Sequence, residues 1–260
     1  MDSRLRDARS RQTTTKQAMR DVSAYLADLS AVLDALPREP LAQITQLLLD
    51  AARKGRTVFI FGNGGSAATA SHLACDLAKT AHMPGQPRVR ALALTDNVPL
   101  LTAWGNDDSY EVIFAEQVRT FVRWRDIVVA ISASGNSPNV LAGVEVAREA
   151  GAVVVGITGF GGGKLQALCD ICLVVPSHDY GPVEDLHMIF VHAITAALKA
   201  AGSRAQAQED TAADVVAASE THAMNSGDAV NGAPVVILAD GANAQPAAVA
   251  DGAPDRKSVV

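Results

Sequence analysis

Residues 57–66, Thr-Val-Phe-Ile-Phe-Gly-Asn-Gly-Gly-Ser, and residues 127–138, Ile-Val-Val-Ala-Ile-Ser-Ala-Ser-Gly-Asn-Ser-Pro, decide the fold. Each is an unbroken apolar run that ends in small polar residues and opens into a helical pattern. A run without alternation suits a strand buried on both faces, as in a parallel sheet. Three further runs repeat the theme at 91–95, 153–158 and 171–176, with helical segments expected at 67–80, 110–122, 138–150 and 183–200. Strands alternating with helices give an α/β class, here a doubly wound, five-stranded parallel sheet flanked by helices.

Upstream the period changes. Met19, Val22, Leu26, Leu29, Val32 and Leu36 recur at three- and four-residue steps, the pattern of an amphipathic helix, and 41–54 repeats it before Gly55. Residues 1–56 therefore read as N-terminal helices that pack on the core or at an oligomer interface, and 57–200 as the α/β domain. Residues 201–260 contain no Phe, Trp or Tyr and hold eight acidic residues against three basic ones. That composition reads as a flexible acidic tail.

Of the 260 residues 48% are hydrophobic but only 4% aromatic, so the core is expected to be aliphatic. Lys and Arg number 22 against 28 Asp and Glu, a net charge of −6, and no basic patch emerges to neutralise several phosphates. Nucleic acid is not an expected partner. The start of the chain has no apolar signal core and no run approaches the roughly 20 residues of a membrane span, so no membrane role and a cytoplasmic location are expected. Cys75, Cys169 and Cys172 cannot all pair. Cys169 and Cys172 have the C-x-x-C spacing of a redox or zinc motif, yet no second ligand pair accompanies them, and they read as buried strand residues. Trp104 and Trp124 read as packing residues.

Two loops could carry chemistry. In Gly62-Asn63-Gly64-Gly65-Ser66 the glycines let the backbone turn tightly at a helix N-terminus, a place that favours anions. The spacing fits neither a Walker A loop nor a dinucleotide fingerprint. The other loop, Ser132 to Pro138, alternates hydroxyls with small residues, with Ser137 placed to cap the next helix and Pro138 as its first residue. A capping turn accounts for Ser137 but not for Ser132 and Ser134. Hydroxyls and free N–H groups there can hold a phosphate without Lys or Arg. His72 and Asp76, four apart, share a helix face and could bind one metal or one substrate. Glu184, His187 and His192 lie on the last helix, where packing is the simpler role for His187. Glu184 and His192 are eight residues apart, about 12 Å along a helix, and reach one metal only at full stretch or from different subunits.

The segments GNGGSAATASHLACDLA and ISASGNSPNVL, with ALTDN and WGND between them, resemble the sugar isomerase (SIS) domain, most closely in its phosphoheptose isomerase (sedoheptulose 7-phosphate isomerase) family. The resemblance spans about 15–200. It implies that Asn63, Gly64, Ser66, Asp96 and Glu184 contact a sugar, and that Ser132, Ser134 and Ser137 hold its phosphate. It further implies Asp76 as catalytic base and His192 as acid, with His72, Asp76, Glu184 and His192 around a divalent metal, most simply zinc. Three positions depart from the family pattern: Asp76 stands for Glu, Glu184 for Gln and Thr80 for Arg. The implied activity is aldose–ketose isomerisation of sedoheptulose 7-phosphate to D-glycero-D-manno-heptose 7-phosphate, in a homotetramer with sites at subunit interfaces. Alternatives are a non-catalytic sugar-phosphate sensor, an adaptor of a replication initiator, or an isomerase of another sugar phosphate. A carboxylate at 76 and an imidazole at 192 favour the enzyme.

Overall fold

The computed structural model describes residues 3–82 and 84–225. Two helices come first, α1 (Ser3–Asp34) and α2 (Glu39–Arg53), followed by β1 (Thr57–Gly62), α3 (Gly65–Cys75) and a π-helical turn, Asp76–Thr80. Next are β2 (Arg90–Ala93), α4 (Val98–Asp107), α5 (Ala115–Phe121), β3 (Ile127–Ser132), α6 (Pro138–Glu149) and β4 (Val153–Thr158). Short 3₁₀ turns at Phe160–Gly162 and Leu165–Leu168 lead to β5 (Ile171–Val174), and α7 (Tyr180–Asn225) closes the described chain.

The five strands form one parallel sheet in the order β2-β1-β3-β4-β5. The unbroken apolar runs follow from two covered faces. Val58, Ile60, Ile127, Val129, Ile131, Val155 and Ile157 face one layer, built from Ile44 and Leu48 of α2, Leu73 of α3 and Phe190 and Ile194 of α7. Phe59, Phe61, Val128, Ala130 and Val154 face the other, built from Phe114, Val118 of α5 and Val140 and Val144 of α6. The strand expectations fit closely, and β3 and β4 coincide with the apolar runs.

Three expectations change. One helix was expected over 110–122; α5 lies inside that range but is shorter, and an additional helix, α4, forms before it, started by the Asn97 side chain accepting from the Leu100 N–H and by Pro99 in the first turn. The tail expected from residue 201 is helical through Asn225, because its Ala-rich sequence has high helix propensity even without an apolar stripe. Residues 226–260 of that expectation lie outside the described residues. The chain divides into two units, Met1–Ala213 and Asp214–Val260, and the described part of the second, 214–225, is helical. Finally, one segment is long and apolar enough to cross a membrane by length and composition, Tyr180–Gln208 of α7. Its Val183, Leu186, Phe190, Val191, Ile194 and Leu198 are buried against the sheet, as in the core helix of a globular domain.

Candidate active site

The order β2-β1-β3 reverses direction between β1 and β3, and ligands of such sheets bind at the carboxyl ends of the strands beside that reversal. β1 delivers the glycine loop there and β3 the serine loop. The two loops are joined by a reciprocal amide pair: Asn63 Nδ2 donates to Asn139 Oδ1 at 2.8 Å and Asn139 Nδ2 donates to Asn63 Oδ1 at 2.9 Å. Tyr110 adds a third bond, its hydroxyl donating to Asn63 Oδ1 at 3.2 Å. Both acceptor positions of the Asn63 oxygen are thereby used, which leaves one N–H of that side chain to offer a ligand oxygen. Asn139, 2% exposed, and Tyr110 had no place in the sequence reading. The available signal was an Asn in the first helical turn directly after the serine loop, a position that turns inward once Pro138 starts α6.

The hydroxyls of Ser132 and Ser137 lie 3.2 Å apart, while that of Ser134 accepts from the Asn136 N–H at 3.2 Å. Ser137 occupies the N-cap position of α6, but its side chain makes no capping bond, contrary to the sequence reading. Its hydroxyl instead faces that of Ser132, at a helix N-terminus with Pro138 in the first turn. The loop is braced from behind. Gly135 has φ +64°, and a Cβ there would stand 2.0 Å from the Gly162 carbonyl oxygen, so only glycine fits. Leu165 N–H donates to the Gly135 carbonyl and Lys164 N–H to Asn136 Oδ1.

On α3, Ser66 is buried beside Gly62, and His72 follows on the same helix. Ser71 ties this helix to β2, donating to Asp96 and lying 3.2 Å from the Thr95 hydroxyl. α7 runs alongside and brings His192 Nε2 to 3.2 Å from His72 Nε2, while Asp76 Oδ2 lies 3.6 Å from His72 Nε2. The Thr80 hydroxyl donates to the other Asp76 oxygen at 2.9 Å. Asp76 and Thr80 are the two ends of the π-helical turn, a feature frequent at functional sites.

His72, Asp76 and His192 thus place two imidazole nitrogens and a carboxylate oxygen within 4.8 Å of one another. A tetrahedral zinc with bonds near 2.0–2.1 Å would hold two nitrogens about 3.3 Å apart, so the His72–His192 spacing fits one. Among the described residues, Glu184 is not in this group. Its carboxylate sits over the first residue of α3, 2.8 Å from where a Cβ of Gly65 would stand, so within one chain the expected four-ligand set is three. The cause is the eight-residue spacing along one straight helix. The glycine at 65 gives that carboxylate its room, and the α3 N-terminus suits its charge.

His187 lies on the buried side of α7, 1% exposed, with no hydrogen bond to either ring nitrogen. Burial pushes its pKa down to about 4, with the Thr158 backbone pulling the other way by less. It is a packing residue, as expected. Trp104 packs against the core, whereas Trp124 is 59% exposed, its face covered by the Arg125 guanidinium.

Comparisons with known proteins agree with this architecture. The SIS domain family model matches residues 24–159. The phosphoheptose isomerase of Paramagnetospirillum magneticum is 40% identical over 168 residues, covering 65% of this chain and 87% of that protein. The lincomycin biosynthesis protein LmbN of Streptomyces lincolnensis is 38% identical over 187 residues, 68% of each chain. The solved structure of phosphoheptose isomerase GmhA from Neisseria gonorrhoeae superposes with a TM-score of 0.66 at 32% identity, covering 70% of this chain and 99% of that one. With the glycine and serine loops at the strand ends and these matches in sequence and fold, the chain belongs to the SIS-domain family, in its phosphoheptose isomerase branch.

Proposed function

We propose that the protein is an aldose–ketose isomerase converting sedoheptulose 7-phosphate to D-glycero-D-manno-heptose 7-phosphate. The observation that carries this reading is the convergence of His72, Asp76 and His192 on two helices, in a chain whose β3 also ends in a hydroxyl-rich loop at a helix N-terminus. Ser132, Ser134 and Ser137 hold the phosphate at the start of α6, and this remote anchor aligns the reacting carbons. Asn63 gives its free N–H to a sugar oxygen, with Gly64, Ser66 and Asp96 completing the wall. Glu184 faces the same wall, at the α3 N-terminus, and contacts the sugar or the metal of a neighbouring subunit.

Asp76 takes the proton from C1 of the ketose and returns it to C2, while His192 gives a proton to the C2 oxygen and takes back the one that the C1 hydroxyl loses. The Thr80 hydroxyl donates to one Asp76 oxygen and fixes the orientation of the carboxylate for this transfer. His72, Asp76 and His192 supply the ligands for a divalent cation, zinc by choice of donors, which when bound polarises the carbonyl and stabilises enediolate charge. We further place the protein in the cytoplasm, without a nucleic-acid or membrane partner, as a homotetramer with sites at subunit interfaces. The exposed apolar row Met19, Val22 and Leu26 on α1 supports an interface there.

Turnover of sedoheptulose 7-phosphate by purified protein, followed by NMR with and without zinc after chelation, tests the reading. Product formation that is lost in Asp76→Ala and His192→Ala supports it. Binding of the sugar phosphate without turnover overturns it in favour of a sensor or adaptor. A second substrate reading, an isomerase of another sugar phosphate, has its own support: Thr80 stands where the family pattern has Arg. Faster turnover of a different ketose phosphate would establish it.

A further inference from the structure

Cys169 and Cys172 play no part in the isomerase reading, and the structure places them differently from buried strand residues. Cys169 follows the 3₁₀ turn Leu165–Leu168 in extended conformation, outside β5, and Cys172 is the second residue of β5. Both are free and partly exposed. Their sulfurs converge on one gap. Cys172 pairs across the ladder with Gly156 of β4, and the space that a Cβ at Gly156 would fill has the Cys169 sulfur at 2.5 Å and the Cys172 sulfur at 3.2 Å. An alanine at 156 would displace both. A C-x-x-C pair running through a regular strand would point its sulfurs to opposite faces; the turn before β5 brings them to the same one.

We propose that Cys169 and Cys172 form a thiol–disulfide exchange site, with Cys172 as attacking and Cys169 as resolving sulfur, for low-molecular-weight disulfides. Cys172 is the better nucleophile of the two. The neighbouring Cys169 thiol, and to a lesser degree the Thr158 hydroxyl 3.9 Å away, hold its pKa below the usual thiol value against the effect of burial. Cys169 is pushed up by its Cys172 neighbour and by burial, and its thiol donates to the Leu165 carbonyl oxygen at 3.1 Å. The Cys172 thiolate attacks one sulfur of the external disulfide, forming a mixed disulfide and releasing one thiolate. Cys169 then loses its proton and attacks the Cys172 sulfur, expelling the second thiolate. The protein gives up two thiol hydrogens and two electrons, and the external disulfide becomes two thiols. The turn that carries Cys169 begins at Leu165, whose N–H holds the Gly135 carbonyl of the serine loop, so the pair sits one short turn from that loop.

The test uses the full-length reduced protein incubated with oxidised glutathione, quenched with acid, alkylated and mapped by peptide mass. The expected product is an internal Cys169–Cys172 disulfide, lighter by two hydrogens, formed about tenfold faster than glutathione is added to the exposed Cys75. Cys169→Ser should stop at a glutathione adduct on Cys172. In Cys172→Ser, adduct formation at Cys169 should be about tenfold slower than that at Cys172 in Cys169→Ser. Absence of the internal disulfide in the native chain, which needs no variant to fold, overturns the proposal. Equal adduct rates at the two positions overturn the assignment of attacking and resolving sulfurs.

Discussion

The side-chain amides of Asn63 and Asn139, 76 positions apart in the chain, hydrogen-bond each other in both directions. The pair bridges β1 and β3 above the sheet, so the loop assigned to the sugar and the loop assigned to the phosphate move as one body. Replacing Asn139 by Ala leaves the Asn63 amide without two partners in a half-buried place. The expected cost is about 1–3 kcal/mol of stability, read from the midpoint of chemical denaturation. It should also raise KM for the sugar phosphate severalfold, since the last free N–H of Asn63 loses its aim. Wild-type KM in a folded Asn139→Ala protein would show that the loops do not need this bridge.

Tyr110 offers a milder version of the same experiment. Tyr110→Phe removes one hydroxyl from an exposed residue, and a loss within about 0.5–1.5 kcal/mol is expected. The change should appear in KM more than in kcat, because the hydroxyl touches Asn63 and none of the groups assigned to proton transfer.

His72, Asp76 and His192 make a prediction about metal that is independent of turnover. Equilibrium dialysis should find one zinc per chain, lost on His72→Ala or His192→Ala. Glu184→Gln should keep the metal if its carboxylate acts on the sugar from the α3 N-terminus, and should lose affinity if it completes the site of a neighbouring subunit. Retention of full zinc affinity after both His substitutions would remove the cluster from consideration as a metal centre.

Thr80→Val keeps the volume of the side chain and deletes the hydroxyl that holds Asp76. Freed of that bond, the carboxylate samples orientations away from His72, and kcat should fall about three- to tenfold with zinc content unchanged. Asp76→Asn should fall by far more, at least about a hundredfold, because the base itself is gone. Equal effects of the two substitutions would mean that Thr80 serves in some way other than orienting Asp76.

How much of this was legible beforehand depends on the range of the interaction. β3 and β4 were readable because burial on both faces leaves an unbroken apolar run with sharp ends. The serine loop was readable from its local spacing, but the Ser137 hydroxyl was not: the sequence put it on the α6 cap, and it faces Ser132 instead. α4 was not readable: Val98, Pro99, Gly105 and Asn106 are poor helix formers, and the helix relies on an Asn97 cap and on packing by Leu101 and Trp104. Nor was the Asn63–Asn139 bridge, which exists only after two distant loops meet at the sheet edge. The separation of Glu184 from His192 was readable, because the rise of a helix fixes it. The meeting of His192 with His72 needed the packing of α7 on α3.

His187 makes stability depend on pH with a definite sign. Its imidazole is buried neutral, with its pKa pushed down to about 4, whereas in the unfolded chain it titrates near 6.5. Between those values the unfolded state binds more protons than the folded state, so stability rises with pH. The contribution is fully present above about pH 6.5 and is lost as pH falls through 4, a change of about 3 kcal/mol over the window. Denaturation midpoints measured from pH 7.5 to 4.5 should fall accordingly. His187→Leu, which removes the titrating group while keeping a buried apolar side chain, should flatten that slope. An unchanged slope in a folded His187→Leu protein would place the acid sensitivity elsewhere in the chain.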